Sequence, residues 1–212
     1  YDNAGSLTLE TLIWTNDTTR APALTPQDGV LVKTGATTRR YVGTIRASAT
    51  NQTEDSAAKR FIANYYNCVP RPMRVMPSGN WNYTTATWRQ ANGSAVNQLA
   101  FVVAGTGQEE MLTAEIAAWS YNANAIWRSV ALGLDGTTPV AGCIYGESHA
   151  TSAGAEAVNR CTWRGYTGIG YHYMPWLEAS QASGTTTWFG TGGGAEPGAD
   201  HIQSGITGEI KN

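Results

Sequence analysis

The sequence predicts an all-β protein. Three observations carry that prediction. The chain is rich in strand-formers, with 8 Trp and 10 Tyr against only 3 Phe, and many threonines beside them. It holds 24 glycines with numerous asparagines, the residues that turn a chain between strands. Leu, Glu and Lys, the usual helix builders, are scarce. At 212 residues the chain is long enough to bury a full core as one large β-domain.

The elements follow in chain order. In "SLTLETLIWT" the alternation of Leu7, Leu9, Thr11 and Ile13 predicts a strand, and "NDTTRAPALTPQDG" predicts an extended connecting segment, so residues 1–28 read as peripheral to a main domain over 29–212. "VLVKTG" is a strand ending in a turn. "RRYVGTIRAS" alternates, placing Tyr41, Gly43, Ile45 and Ala47 on one face and Arg40, Val42, Thr44 and Arg46 on the other. "NQTEDSAAKRFIANYYNCVPRPMRV" reads as a helical turn at 54–59 followed by a strand. Trp81, Tyr83, Thr85 and Thr87 alternate against Asn82, Thr84, Ala86 and Trp88, and "ANGSAVN" supplies the turn into "QLAFVVAG", a core strand. The stretch 109–138 gives two strands around an Asn-rich turn. "AGCIYGES", "NRCTWRGY", "GIGYHYMPWLEAS", "TTTWFGTG" and "SGITGEIKN" complete roughly ten to twelve short strands, the pattern of a β-sandwich or barrel. "GTGGGAEPGAD", 190–200, reads as a surface loop.

Charge excludes several function classes. With 14 basic and 16 acidic side chains the net charge is −2, against a general nucleic-acid or anionic-membrane binder. No apolar run reaches the roughly 18 residues of a membrane-spanning helix. The chain begins at Tyr1 with no visible signal peptide and reads as a mature product or an excised domain. Cys68, Cys143 and Cys161 lack the paired spacing of a zinc site; they read as free thiols, although Cys143 and Cys161 could pair if their strands are adjacent.

Few residues suggest catalysis. His149, His172 and His201 are too dispersed to predict a metal site, no EF-hand-like loop is present, and no cofactor is implied. Ser204, His172 or His201, and Asp135 or Asp200 could be assembled on paper into a triad, but no serine sits in a nucleophile elbow. Glycosidases need two carboxyl groups flanking a sugar bond; Glu178, Asp135, Glu147 and Glu109–Glu110 are the candidates, with Glu178 beside Trp176 the most interesting. Exposed Trp and Tyr offer stacking platforms for sugar rings, and Trp81, Trp119 and Trp163, next to turns or polar runs, are better candidates for that than Trp176.

An ordered set of phrases adds to this reading: "GVLVKTGATTRRYVGT", "DSAAKRFIANYYNCVPRPMR", "WNYTTATWRQANGSAVNQ", "VALGLDGTT", "GYTGIGYHYMPWLEAS", "GTTTWFG" and "QSGITGEI". Over residues 29–210 the chain resembles the C-terminal regions of tail-fibre-like and other virion structural proteins of tailed bacteriophages and prophages. The resemblance implies a trimeric, jelly-roll-like antiparallel β-sandwich at the outer end of a fibre or spike. It also implies attachment to a host-surface glycan or protein, and contacts with other virion proteins through a region N-terminal to Tyr1. It carries no catalytic motif, and "CVPRP" departs from it by placing Cys68 where a basic or polar residue is expected.

The expectations are therefore a virion-located, non-enzymatic, carbohydrate-binding domain, with a purely structural virion role as the alternative and a glycan-cleaving enzyme third. Trp81, Trp119, Tyr121, Asn122, Asn124 and Trp163 are the ligand-binding candidates, set among loops at 105–110, 121–126, 148–157 and 191–201. Arg39, Arg40 and Arg46 are the subunit-interface candidates, able to pair with acids of a neighbouring copy.

Overall fold

A computed structural model describes residues 1–21, 23–106, 111–149, 154–192 and 202–212. Two sheets enclose one apolar core. The first runs Pro70–Val75, Gly205–Lys211, Leu112–Asn122, Glu156–Gly165, Ile144–Tyr145, with Thr186–Phe189 and Asn80–Asn82 continuing beside the distal half of Leu112–Asn122. The second runs Ser148–His149, Trp127–Leu132, Gly170–Ser180, Gln98–Val103, Lys59–Arg60, with Arg89–Gln90 also against Gly170–Ser180. Pairing is antiparallel within both sheets except between Gln98–Val103 and Lys59–Arg60.

Alternation makes the sandwich. Along Leu112–Asn122, Leu112, Ala114, Ile116 and Ala118 are buried while Thr113 and Glu115 face solvent. The same core takes Leu99, Phe101, Leu132, Met174 and Trp176 from the second sheet and Trp163, Trp188 and Ile206 from the first. Shared burial from two facing sheets is the defining property of a sandwich.

Smaller ribbons precede it. Leu24–Gln27, Val30–Lys33 and Ala36–Arg40 form a three-stranded sheet. Its first turn is Asp28–Gly29, both left-handed at φ 48° and 81°, as a two-residue hairpin turn requires. Gly43–Ile45 pairs with Ile62–Asn64. The N-terminal segment docks on the sandwich at Gly170, where a Cβ would run into the Asp17 carbonyl and lie 2.7 Å from Thr18 Cα. The Tyr171 N–H then donates to the Asp17 carbonyl at 2.8 Å. Glycine at this position is a requirement of close approach.

Three local expectations change. The predicted strand over residues 7–13 joins a sheet only at Ser6–Leu7, which pairs with Asp2–Asn3; residues 8–14 belong to no strand. The helical turn at 54–59 is absent: an Asp55–Arg60 bridge and the Lys59–Arg60 strand replace it, because Lys59 and Arg60 find partners on Gln98–Val103. The "RRYVGTIRAS" run breaks into pieces around Tyr41 and Val42, and its burial is the reverse of its apolar pattern. Thr44 is buried with its Oγ1 2.6 Å from the Tyr41 hydroxyl, whereas Val42 and Ile45 are more than half exposed. Among the described residues the only helical turn is Ala91–Gly93, inside the predicted "ANGSAVN" turn.

Candidate functional site

The site is built where the 83–88 loop enters the Arg89–Gln90 strand: Trp88 is the last loop residue and Arg89 the first of the strand, and their side chains meet different partners. Arg89 turns inward to Glu178, its register partner on Gly170–Ser180, with Nε donating to Oε1 at 2.9 Å. Glu178 has no exposed surface, and its carboxylate also accepts the Trp81 indole N–H at 2.7 Å and the Asn92 amide at 3.1 Å. Burial pushes the Glu178 carboxyl up to about 7, working against the stabilising effect of those three donors. The Arg89 guanidinium stacks 3.7 Å over the Tyr83 ring and donates to the Asn82 carbonyl, closing the seam between the two sheets.

Trp88 turns the other way. Its ring meets Tyr145 edge-on, with centroids 5.6 Å apart. Trp88 is half-buried and Tyr145 is 44 % exposed, so the pair presents aromatic faces to solvent. The Tyr83 hydroxyl donates to the Thr87 carbonyl at 2.7 Å and holds the 83–87 loop that leads into Trp88.

Register gathers the loops 83–88, 123–126 and 181–185 at one end of the sandwich, since Asn82 faces Thr187, Asn122 faces Thr186 and Arg128 faces Ser180. Beneath them lies a buried polar layer. Asn122 Nδ2 donates to Thr186 Oγ1 at 2.8 Å and to the Ser183 carbonyl at 3.0 Å. Asn159 Nδ2 donates to Ser120 Oγ at 2.8 Å, and its Oδ1 accepts from Ser148 Oγ at 2.6 Å. Arg128, fully buried, donates through Nη1 to the carbonyls of Ser120 and Ala155, each at 3.1 Å, and desolvation lowers its pKa. The asparagine and Nη1 hydrogen bonds fix the loop bases, while Arg128 Nε and Nη2 are buried without a partner.

The six ligand candidates separate. Trp81 and Trp163 are 7 % exposed and belong to the core, contrary to expectation: Trp81 packs edge-on against Trp176, and the Trp163 indole donates to the Ala141 carbonyl. Asn122 is fully buried in the polar layer. Trp119 and Tyr121 are half-buried and lie against Phe189 and Ile202. Only Asn124 is well exposed, with its Nδ2 on Ser183 Oγ at 3.0 Å. The structure does not gather the six into one site, and Trp88, Tyr145, Tyr83 and Arg89 were missed. The available signal was period two: Asn80 and Asn82 point outward, which already turns Trp81 in.

Two of the three arginines are engaged within the chain rather than left for a neighbour's acids. Arg39 pairs with Glu10 at 2.5 Å and stacks on Tyr1, and Arg46 pairs with Asp17 and lies 3.5 Å over Tyr171. Arg40 is exposed. His172 and Asp135 do meet, Nδ1 to Oδ2 at 2.7 Å, but the third member of the paper triad, Ser204, accepts the Trp119 amide through its Oγ. Glu147 meets His149 at the surface. Glu109, Glu110, Asp200, His201, most of the 105–110 and 191–201 loops, and residues 150–153 of the 148–157 loop lie outside the described residues. Among the described residues no cluster of His, Cys, Asp and Glu could hold a metal ion. Cys143 immediately precedes Ile144–Tyr145, the strand paired with that of Cys161, yet the two thiols are free and hydrogen-bonded, a bond that lowers Cys143 and raises Cys161.

No protein-family model matches the chain, and no curated protein matches it as a relative.

Proposed function

We propose that the chain is a host-attachment domain of a phage or phage-derived particle, displayed as a homotrimer on a fibre or spike, and that it binds surface polysaccharide without cleaving it. The observation that carries the glycan reading is the partly exposed Trp88–Tyr145 pair. Aromatic faces take the C–H face of a sugar ring. A shallow site of this size binds weakly, and several copies on one particle raise avidity without new contacts. Glu178, the best carboxylate candidate for hydrolysis, has no exposed surface and already serves three donors, which favours binding over cleavage.

The test is a glycan array followed by titration with the best host polysaccharide. Trp88→Ala and Tyr145→Ala each weaken binding about 10-fold, in line with the loss of one aromatic contact, while the unfolding temperature changes little. Absence of binding to any glycan or host cell overturns the reading. A purely structural virion role is the second reading, and the exposed aliphatic side chains near the N-terminus favour it.

A further inference from the structure

The cleft beside the N-terminal segment changes character from end to end. Its volume is about 410 Å³, within the roughly 300–1,000 Å³ of small-molecule sites. One wall is the run from Arg39 to Ile45, with Arg39 and Arg40 at one end and Val42 and Ile45 at the other. Neighbouring strands extend that polarity. Lys33, from the strand paired with Ala36–Arg40, lines the basic end, and Ile62, the register partner of Ile45, lines the aliphatic end. From the N-terminal segment, Glu10 meets Arg39 at 2.5 Å and Lys33 at 3.5 Å. The Arg20 guanidinium lies 4.9 Å over Trp14 and 5.3 Å over Tyr41. Four cations thus line the cleft against one carboxylate, in a chain whose net charge is −2.

We infer that this cleft binds a single-chain amphipathic anion: an aliphatic chain lies along Val42, Ile45 and Ile62, and its carboxylate or phosphate head meets Arg40 and Lys33. Charge selects the head. Arg40 is exposed and pairs with no acid among the described residues, so it takes an incoming anion without breaking an ion pair. Arg39 and Lys33 already hold one carboxylate there, that of Glu10, and the Arg39 hydrogen bond keeps its pKa below the ordinary value. Apolar exposure selects the body. Leu12, Val42 and Ile45 keep 40 %, 52 % and 59 % of their surface in water, and an aliphatic chain covers it. A sugar fits this wall poorly, because aliphatic side chains offer its hydroxyls no partners. A bare inorganic anion leaves the apolar end uncovered. The cations are also held in place, Arg20 by its two rings and Arg39 by Glu10 and the Tyr1 ring, which lowers the ordering cost of binding.

Isothermal titration calorimetry with decanoate, decyl phosphate, decanol and decyltrimethylammonium, each below its micelle concentration, tests this. The expected result is saturable binding of the anions, at least about 10-fold tighter than that of decanol, and none of the ammonium. Shortening decanoate to octanoate weakens binding about 2- to 4-fold per methylene removed. Arg40→Gln weakens decanoate about 10-fold with unchanged near-UV circular dichroism, because Arg40 is solvated in the free chain. Glu10→Gln releases Lys33 and Arg39 from their own carboxylate and tightens decanoate. Binding of one of the two anions alone supports the proposal and identifies the head group. No saturable binding, equal affinity for decanol and decanoate, an unchanged Arg40→Gln, or weaker binding by Glu10→Gln overturns it. Binding to anionic lipid vesicles with none to the monomeric probes assigns the cleft to a membrane surface and also overturns it. The inference does not rest on the glycan reading: Trp88→Ala leaves decanoate binding unchanged, and a glycan array without hits leaves it standing.

Discussion

The Leu112–Asn122 strand and the Leu7–Ile13 segment carry the same two-residue apolar period, yet they spend it in opposite ways. In the first, Leu112, Ala114 and Ile116 are buried and Thr113 and Glu115 face water. In the second, Leu7, Leu9 and Ile13 face water and Glu10 is drawn in to Arg39 and Lys33. The difference lies in the partners. Leu112–Asn122 is flanked by hydrogen-bonded strands on both edges, so its inner face has a second sheet to meet. The 8–14 stretch joins no sheet, and its position is set by ion pairs and by the docking of Asp17 at Gly170. Periodicity says that one face of a segment is apolar. It does not say that the same chain covers that face.

Substitutions can break this contrast or sharpen it. The largest effect belongs to the core. Trp188→Ala removes a fully buried indole whose N–H donates to the Tyr83 carbonyl, and it lowers stability to chemical denaturation by about 3–5 kcal/mol. Leu9→Ala in the monomer stays within about 0.5 kcal/mol, and a cost as large as that of Trp188→Ala would erase the distinction between the two regions.

The seam comes next. The Glu178 carboxyl is raised from its ordinary 4.5 to about 7 in the folded chain, so the native state holds its proton more tightly than the unfolded one. The stability this contributes is fully present below pH 4.5 and is lost as pH rises through about 7, on the order of 3 kcal/mol over that span. Unfolding measured from pH 5 to 8 shows this decline in the wild type and a flatter profile in Glu178→Gln. An unchanged slope in the variant would assign the dependence to other groups. The smallest effect is at the surface. Glu10→Gln removes ion pairs whose partners are about one-third exposed, and the difference from wild type in a denaturant midpoint is small and shrinks further at high salt.

Much of the sandwich was legible because its strands are locally consistent. "QLAFVVAG" and "LTAEIAAWSYN" say strand by propensity, pattern and flanking turns at once, and they form Gln98–Val103 and Leu112–Asn122. The site was less legible. Arg89 owes its inward turn to Glu178, and Trp88 meets Tyr145; both partners lie far along the chain. Adjacent turn residues made Trp81 and Trp163 look exposed, although alternation alone turns both toward the core. Arg39 and Arg46 found their acids in the N-terminal segment, a pairing that no local pattern encodes.

The order of the sheets also sets how the molecule answers a pull. A load applied at Tyr1 reaches the Asp2–Asn3/Ser6–Leu7 hairpin and then the docking contact at Asp17 before it reaches the sandwich. Hairpins pulled from one end open rung by rung, at low force per rung. The ten-rung ladder between Leu112–Asn122 and Glu156–Gly165 lies behind them. The N-terminal hairpin, with two rungs, therefore yields before that ladder carries the load.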